Sequence, residues 1–403
     1  MKKQYPLRLI LFVLLSFVLF SCSKKDDNSA PQTVTVGGLL SLTGNWNTLG
    51  ITSKAAMEIA NTDINTYLAS INSKYSFAIK VYDTKLETDK ATKAIDSAKK
   101  AGITYIIGPQ SSAEVGAIKS FADANNLLVI SQGSTASAYA VAGDNIFRFC
   151  PADNVEGPAL AASIYKEGKK GLVTLARNDA GNKGLQTAVA GAFTSLGGSV
   201  NNIAPYDIST SNFSGILADL KTKVSTYIAL YGAAGTGVYY ASFDECVELF
   251  KQAAGDPVLS SVNWYGGDGV VLSAALPVDP TAAAFAAATH FFAPNFGLPL
   301  HTDPKLAAVV TRIKSQTGVD PDAFALASYD AMWVIANTVL ASDKVSSDFS
   351  KVKSLLQTQA SFYYGATGAT LLNQFGDRSI GSFDYWGIVN EGGFKWKWVG
   401  RSE

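Results

Sequence analysis

Residues 103–131 read ITYIIGPQSSAEVGAIKSFADANNLLVIS, and the fold class follows from the pattern of this segment. It opens with a short apolar run from Ile103 to Ile107, continues with an amphipathic stretch from Ser112 to Asn125, and closes with Leu127 to Ser131. Short β-rich runs predict strands, and the longer periodic stretch between them predicts a helix. The segment therefore predicts two parallel strands joined by a right-handed helical crossover.

The same alternation continues on both sides of this segment. Further strands are predicted at 33–41, 76–82, 171–176, 199–204, 237–241 and 262–265, and further helices at 51–70, 89–100, 154–167, 183–196, 213–231 and 244–254. A chain of 403 residues is longer than one hydrophobic core usually organises. The pattern thus predicts an α/β protein with two doubly wound parallel-sheet lobes, whose ligand lies beyond the carboxyl ends of the strands.

The N-terminus carries an export pattern, in which three positive charges precede an apolar run from Leu9 to Phe20. That run is short for a membrane span, so residues 1–21 are predicted to be a signal peptide. The run ends in Leu-Phe-Ser-Cys22, which resembles the bacterial lipobox and implies that Cys22 is lipidated. The alternative is an ordinary cleaved signal with an incidental cysteine. Residues 22–33 are polar and are predicted to form a flexible tether.

Composition and motifs exclude several functions. Lys and Arg number 33, as do Asp and Glu, so no basic field is available to attract nucleic acid. The sequence contains no Walker loop, nucleophile elbow or zinc-protease helix, and His290 and His301 lack helical metal-pair spacing. We therefore expect neither enzymatic activity nor a metal or other cofactor. Cys150 and Cys246 are expected to be free, mostly buried thiols.

Small polar residues follow two neighbouring predicted strands. Ser111 and Ser112 come after the strand that ends at Ile107, and one of them is placed to cap the following helix. The loop 131–136, Ser-Gln-Gly-Ser-Thr-Ala, follows the next strand. A helix start with free N–H groups favours an anion, so these loops either bind a carboxylate or serve only as a cap and a turn.

Short motifs along the chain carry a family resemblance by their order and spacing. They lie at 36–44, 81–84, 107–112, 147–151, 264–269, 328–331, 364–368 and 375–378. In this arrangement the chain resembles the type I periplasmic binding proteins, in the branch typified by the leucine/isoleucine/valine-binding proteins. The resemblance implies two lobes joined by a three-strand hinge that close over a small solute.

The resemblance also implies roles for individual residues. Ser112, the main chain of Gly133 and the hydroxyl of Thr135 would hold an α-carboxylate and share in holding the α-ammonium. Asp268 would pair with that ammonium, the alternative being a turn residue in Gly-Asp-Gly. A carboxylate in a closing cleft is costly unless a cation accompanies it.

The side-chain pocket departs from the family pattern. An aromatic contact is missing at Gly181, whereas Phe243 falls close to another family aromatic. Trp46, in the loop after the first strand, either covers the ligand side chain or packs against its own lobe. The ligand class, an amino acid or similar solute, is therefore better defined than the identity of the ligand.

The resemblance finally implies a chain path and a function. The N lobe comprises 34–149 plus about 297–345, and the C lobe comprises 150–287 plus about 346–403. The expected function is the solute-binding lipoprotein of an ABC-type importer, with a permease as partner and a lipid anchor in the cell envelope. A sensor or scavenger lipoprotein that uses the same lobes is the alternative.

Overall fold

The computed structural model describes residues 31–299, 303–342, 348–379 and 381–402. The signal peptide and Cys22 therefore lie outside the described residues. The tether was predicted to extend to residue 33, but the first strand already begins at Gln32, because Gln32 and Thr33 pair with the neighbouring strand. That boundary of the tether was wrong by two residues.

The N lobe contains a sheet of five parallel strands in the order β2-β1-β3-β4-β5. Its strands are β1 (Gln32–Leu40), β2 (Tyr75–Asp83), β3 (Tyr105–Ile107), β4 (Leu128–Ser131) and β5 (Ile146–Arg148). The connecting helices are α1 (Asn47–Ser70), α2 (Thr88–Lys100) and α3 (Ser112–Ala124). The segment 103–131 thus forms the predicted strand, helix and strand.

The C lobe contains a seven-stranded sheet in the order β14-β13-β10-β9-β8-β6-β7. Its strands are β6 (Gly171–Ala176), β7 (Ser199–Asn202), β8 (Thr236–Ala241), β9 (Asn263–Gly266), β10 (Phe292–Phe296), β13 (Phe383–Asn390) and β14 (Phe394–Arg401). Its helices are α4 (Asp153–Lys166), α5 (Ala180–Ser195), α6 (Ser214–Tyr231), α7 (Cys246–Ala253), α8 (Ala275–Val278) and α9 (Pro280–Ala288). Strands β6 to β10 are parallel, and β13 and β14 add an antiparallel edge.

Three further helices complete the N lobe: α10 (Pro304–Thr317), α11 (Ala323–Ser342) and α12 (Phe349–Phe362). Helices α10 and α11 pack on α1, and α12 packs on α11. The ammonium of Lys353 on α12 also donates to the carbonyls of Gly143 and Asp144. The assignment of residues from about 346 onward to the C lobe is therefore corrected, since α12 belongs to the N lobe. The hairpin of β11 (Tyr364–Gly365) and β12 (Gly368–Ala369) is held by Asp330 of α11.

The chain crosses between the lobes three times: after β5, after β10 and before β13. A fully buried ion pair ties two of these crossings, because Arg148 Nε and Nη2 each lie 2.6 Å from an oxygen of Asp377. Main-chain hydrogen bonds from Arg148 to Gly376 and from Arg378 to Arg148 reinforce this pairing. The predicted α/β architecture with two lobes is confirmed.

The two cysteines of the lobes and one long apolar helix are buried in the core. Cys150 and Cys246 are free and buried, as predicted. Among the described residues, α11 alone is long and apolar enough to cross a membrane, but most of it is buried, as in the core helix of a globular lobe.

Candidate functional site

The carboxyl ends of the strands in both sheets face a cleft between the lobes. The N lobe contributes the loops after β1, β3 and β4, and the C lobe contributes the residues after β6, β8 and β9. Contacts between the loops close the cleft at one edge. Asn45 donates to Glu245 at 2.7 Å, and the main-chain N–H of Trp46 donates to Asp244 at 2.8 Å.

The two serines after β3 have different roles. Ser111 caps α3, since its hydroxyl accepts from the Glu114 N–H at 3.3 Å and donates to the Glu114 carboxylate at 2.6 Å. This reciprocal capping box occupies the Ser111 hydroxyl. Ser112 Oγ instead receives hydrogen bonds from the Ala136 N–H and from the Ser134 hydroxyl, both at 3.1 Å. Ser112 is therefore joined to the loop after β4, as two loops sharing one ligand would require.

The loop after β4 brings Gly133 and Thr135 to the same place. A methyl group on Gly133 would lie 2.9 Å from the Gln110 carbonyl oxygen and 3.2 Å from the ring of Trp46, so no side chain fits there. Thr135 is buried, and its carbonyl accepts from the Asp153 N–H at 2.8 Å. Arg148 fixes this loop by donating to the carbonyls of Ser134 and Ala136.

Two aromatic rings from opposite lobes meet in the cleft. Trp46 and Phe243 stack with ring centroids 4.6 Å apart and planes inclined by 29°, and both side chains are buried. The Arg177 guanidinium lies 5.6 Å from the Phe243 ring centroid. Trp46 has a left-handed backbone (φ 56°), a conformation that costs energy for a bulky residue and is found at sites that the surrounding structure constrains. Trp46 thus packs across the cleft and not only against its own lobe.

Three buried carboxyl groups lie on the C-lobe side of the cleft. Asp153 and Glu156 are in the first turn of α4, each 1% exposed, and Asp268 follows β9 at 8% exposed. Both carboxyl oxygens of Asp153, one of Glu156 and one of Asp268 have no hydrogen-bond partner. Among the residues that the structure describes, no Lys or Arg forms an ion pair with them. Unpaired buried carboxylates are costly, so this cluster favours a bound cation or bound protons.

The electrostatics of the cluster follow from burial. Desolvation raises the pKa of Asp153 to about 6 and, with the added charge of Asp153, raises the pKa of Asp268 to about 7. Burial and the neighbouring Asp268 and Asp153 raise the pKa of Glu156 well above its ordinary range. Burial thus favours the protonated form of these carboxyl groups, whereas a bound cation would favour their ionised form.

The sequence from residue 33 to residue 377 matches the family described as Periplasmic binding protein. This chain belongs to that family.

This periplasmic binding protein is similar in sequence to one curated protein and in structure to several solved proteins. It is similar to an uncharacterized protein of Methanocaldococcus jannaschii, 26% identical over 95% of this chain and 94% of that protein. A leucine binding protein, LivK, from Thermotoga maritima has 22% identity and a TM-score of 0.75, over 92% of this chain and 98% of that one. A solute binding protein of an ABC transporter from R. palustris, solved with benzoate, has 20% identity and a TM-score of 0.71, over 92% and 96%. These structures confirm the type I fold with two lobes.

The seven residues predicted for the site lie in the segments that follow β1, β3, β4, β8 and β9. Ser112, Gly133 and Thr135 lie together, Trp46 stacks on Phe243, and Asp268 joins a buried acidic cluster. The Ser111 hydroxyl is occupied by its helix cap. Sequence reasoning missed Asp153 and Glu156, because acids in the first turn of a helix are ordinarily explained by the helix dipole. Their spacing of three residues, which puts both on one helix face, was the available signal.

Proposed function

We propose that this protein is the solute-binding component of an ABC-type importer and that it closes over a small amino-acid-like solute. The observation that carries the proposal is the buried carboxyl cluster of Asp153, Glu156 and Asp268, with which no Lys or Arg of the described residues forms an ion pair. An ammonium group of the ligand would supply the missing charge, and its N–H groups would satisfy the unpaired oxygens.

The opposite end of the ligand would meet the loops that carry Ser112, Gly133 and Thr135. Ser112 is the first residue of α3, where the helix dipole and main-chain N–H groups favour a carboxylate. Gly133 allows Trp46 and the Gln110 carbonyl to pack closely against this loop. An α-amino acid presents a carboxylate and an ammonium on one carbon, which matches this pairing of subsites.

Closure follows from the origin of these groups. Ser112, Thr135 and Trp46 come from the N lobe, whereas Asp268 and Phe243 come from the C lobe. A ligand that touches both sets binds the closed state more tightly than the open one, and this difference in affinity drives closure. Phe243 and Trp46 would cover the ligand's side chain.

Attachment to the cell envelope is proposed through Cys22, with the protein in the periplasm or on the outer membrane. Replacing Cys22 with Ser should release soluble protein, as measured by fractionation of membranes after expression in a bacterium. Unchanged membrane association of the Cys22→Ser protein would contradict lipidation at this residue.

Thermal unfolding with a panel of solutes tests the ligand class. A bound ligand stabilises the folded state by RT ln(1 + [L]/Kd), so amino acids should raise the melting temperature. Matched carboxylic acids without the amino group, and benzoate, should raise it much less. Stabilisation by benzoate with none by any amino acid or amine would contradict the proposal.

A further inference from the structure

A fourth buried carboxyl group extends the acidic cluster into the N lobe. Asp322 is 5% exposed and precedes α11, where its carboxylate accepts from the Ala325 N–H at 2.7 Å. Burial raises the pKa of Asp322 to about 7, and its charge helps to raise the pKa of Asp268. Acidic groups from both lobes therefore act on the same space.

The basic side chains around the cleft are already paired with other groups. Arg148 is bound to Asp377 at 2.6 Å through two nitrogens. Arg177 lies 3.0 Å from Asp179 and 3.4 Å from Glu245. Arg378 donates to the hydroxyl and carbonyl of Thr367 and to the carbonyl of Ala369. Within the described ranges, none of these three arginines forms an ion pair with the four buried acids, and only the charge of Arg148 acts on one of them, Asp153, from a longer distance.

An unpartnered hydroxyl group at the same place provides a second, independent observation. Tyr239 is fully buried, its hydroxyl has no hydrogen-bond partner, and the charges of Glu156 and Asp268 act on it. Most buried hydroxyls in folded proteins are hydrogen-bonded, so the unpartnered Tyr239 hydroxyl points to a bound polar group.

We propose that the ligand carries two cationic nitrogen centres, as a basic amino acid or a diamine does. This proposal rests on the proposed function, because it uses the same cleft and the same acids. A neutral amino acid brings one ammonium group, which is too few to match the carboxyl groups of Asp153, Glu156 and Asp268. A second cationic centre adds the charge that the remaining carboxylates lack.

An organic cation fits the cluster better than a metal ion does. Among the described residues, no three His, Cys, Asp or Glu side chains are arranged to hold a metal ion. Acids contributed by both lobes, with the Tyr239 hydroxyl near Glu156 and Asp268, suit N–H donors spread along an aliphatic chain. The rings of Trp46 and Phe243 would cover the aliphatic part of such a chain.

Titration calorimetry with three probes tests the proposal. L-Leucine carries one ammonium and a carboxylate, L-arginine adds a second cationic group, and 1,4-diaminobutane has two ammonium groups and no carboxylate. We expect arginine or the diamine to bind at least about tenfold more tightly than leucine. Because the diamine has no carboxylate, comparing its affinity with that of arginine shows whether the carboxylate subsite is used. Binding should also release protons from the acids, which repeats in buffers of different ionisation enthalpy would detect.

The outcomes separate this proposal from the proposed function. Leucine binding as tightly as arginine and the diamine would overturn the two-cation proposal while leaving an amino-acid site in place. Binding of benzoate in the absence of binding by all three probes would overturn both.

The substitution Glu156→Gln provides a test within one protein. It keeps the shape of the side chain and removes one acidic group, so the ratio of arginine affinity to leucine affinity should fall about tenfold or more. Both affinities are measured on the same variant, so any loss of folded protein cancels from the ratio. Glu391→Gln, at the exposed turn between β13 and β14, should leave the ratio unchanged. An unchanged ratio in Glu156→Gln would overturn the proposal.

Discussion

Thr135 is almost fully buried on a loop that Arg148 holds in place through two carbonyl groups. Its hydroxyl interacts with the carboxyl group of Asp153, a member of the acidic cluster. A buried group that donates to a charged partner contributes more than a neutral one does, because the charged partner is costly to leave unsatisfied. The binding role of Thr135 can therefore be separated from its role in packing.

The substitution Thr135→Val keeps the shape and removes the hydroxyl. We expect ligand affinity to fall by about 1.5 to 3 kcal/mol, the usual contribution of a hydrogen bond to a charged group. Calorimetric titration with the best ligand of the panel measures this loss. Thr226→Val, on the exposed face of α6, is the matched control and should bind like the parent. Parent-like affinity in Thr135→Val would show that the hydroxyl does not contact the ligand.

At the scale of elements, α1 depends on very close contact with the end of β1. A methyl group on Gly50 would lie 1.8 Å from the carbonyl oxygen of Ser41, which is main chain and cannot move aside alone. Overpacking of this kind typically costs about 1 to 3 kcal/mol. Helix α1 packs against both α10 and α11, so a shift of α1 would disturb much of the N lobe.

The substitution Gly50→Ala should therefore lower the free energy of unfolding by about 1 to 3 kcal/mol, although alanine favours helices elsewhere. Urea unfolding followed by circular dichroism measures the change. Gly215→Ala is the matched control, since Gly215 lies in α6 and a methyl group there meets nothing within 4 Å. The control should be as stable as the parent or slightly more so. Equal stability of the two variants would contradict the packing argument.

The elements also show which features the sequence could predict. Strands such as β6 and β8 are buried along their whole length, so their largely apolar runs could be recognised as strands in the sequence. The sequence did not indicate which lobe contains α12, because this depends on contacts between Lys353 and carbonyl groups about two hundred residues earlier in the chain. Likewise, the burial of Glu156 arises from tertiary packing and not from its local sequence. Local pattern thus predicts elements, while the lobe of a helix and the exposure of an acid depend on distant contacts.

For the whole molecule, the buried acids predict how stability depends on pH. The folded-state pKa is about 6 for Asp153 and about 7 for Asp268 and Asp322, above the ordinary value of 3.8. Between these values the folded protein binds more protons than the unfolded chain does, so stability falls as pH rises. The stabilisation that these bound protons give to the folded state is complete below about pH 4 and is lost by about pH 7 to 8.

The ligand-free protein should accordingly melt at a higher temperature at pH 5 than at pH 8. A saturating cationic ligand should reduce or reverse this difference, because it replaces the protons on the acids. Scanning calorimetry across this range, with and without ligand, measures both effects. A melting temperature that rises between pH 5 and pH 8 in the ligand-free protein would contradict the assignment of unpaired acids.

The central claim is that buried acids, foremost Asp268, hold a cationic group of the ligand in a cleft closed by two lobes. The most direct test is calorimetric titration of the parent and of Asp268→Asn with the tightest amine-containing ligand of the panel, with Asp219→Asn on the exposed face of α6 as control. Removing one member of a buried charged pair costs about 2 to 5 kcal/mol, so Asp268→Asn should weaken binding by about thirtyfold or more while the control binds like the parent. Parent-like affinity in Asp268→Asn would contradict the claim, since the ligand would then bind without using this carboxylate.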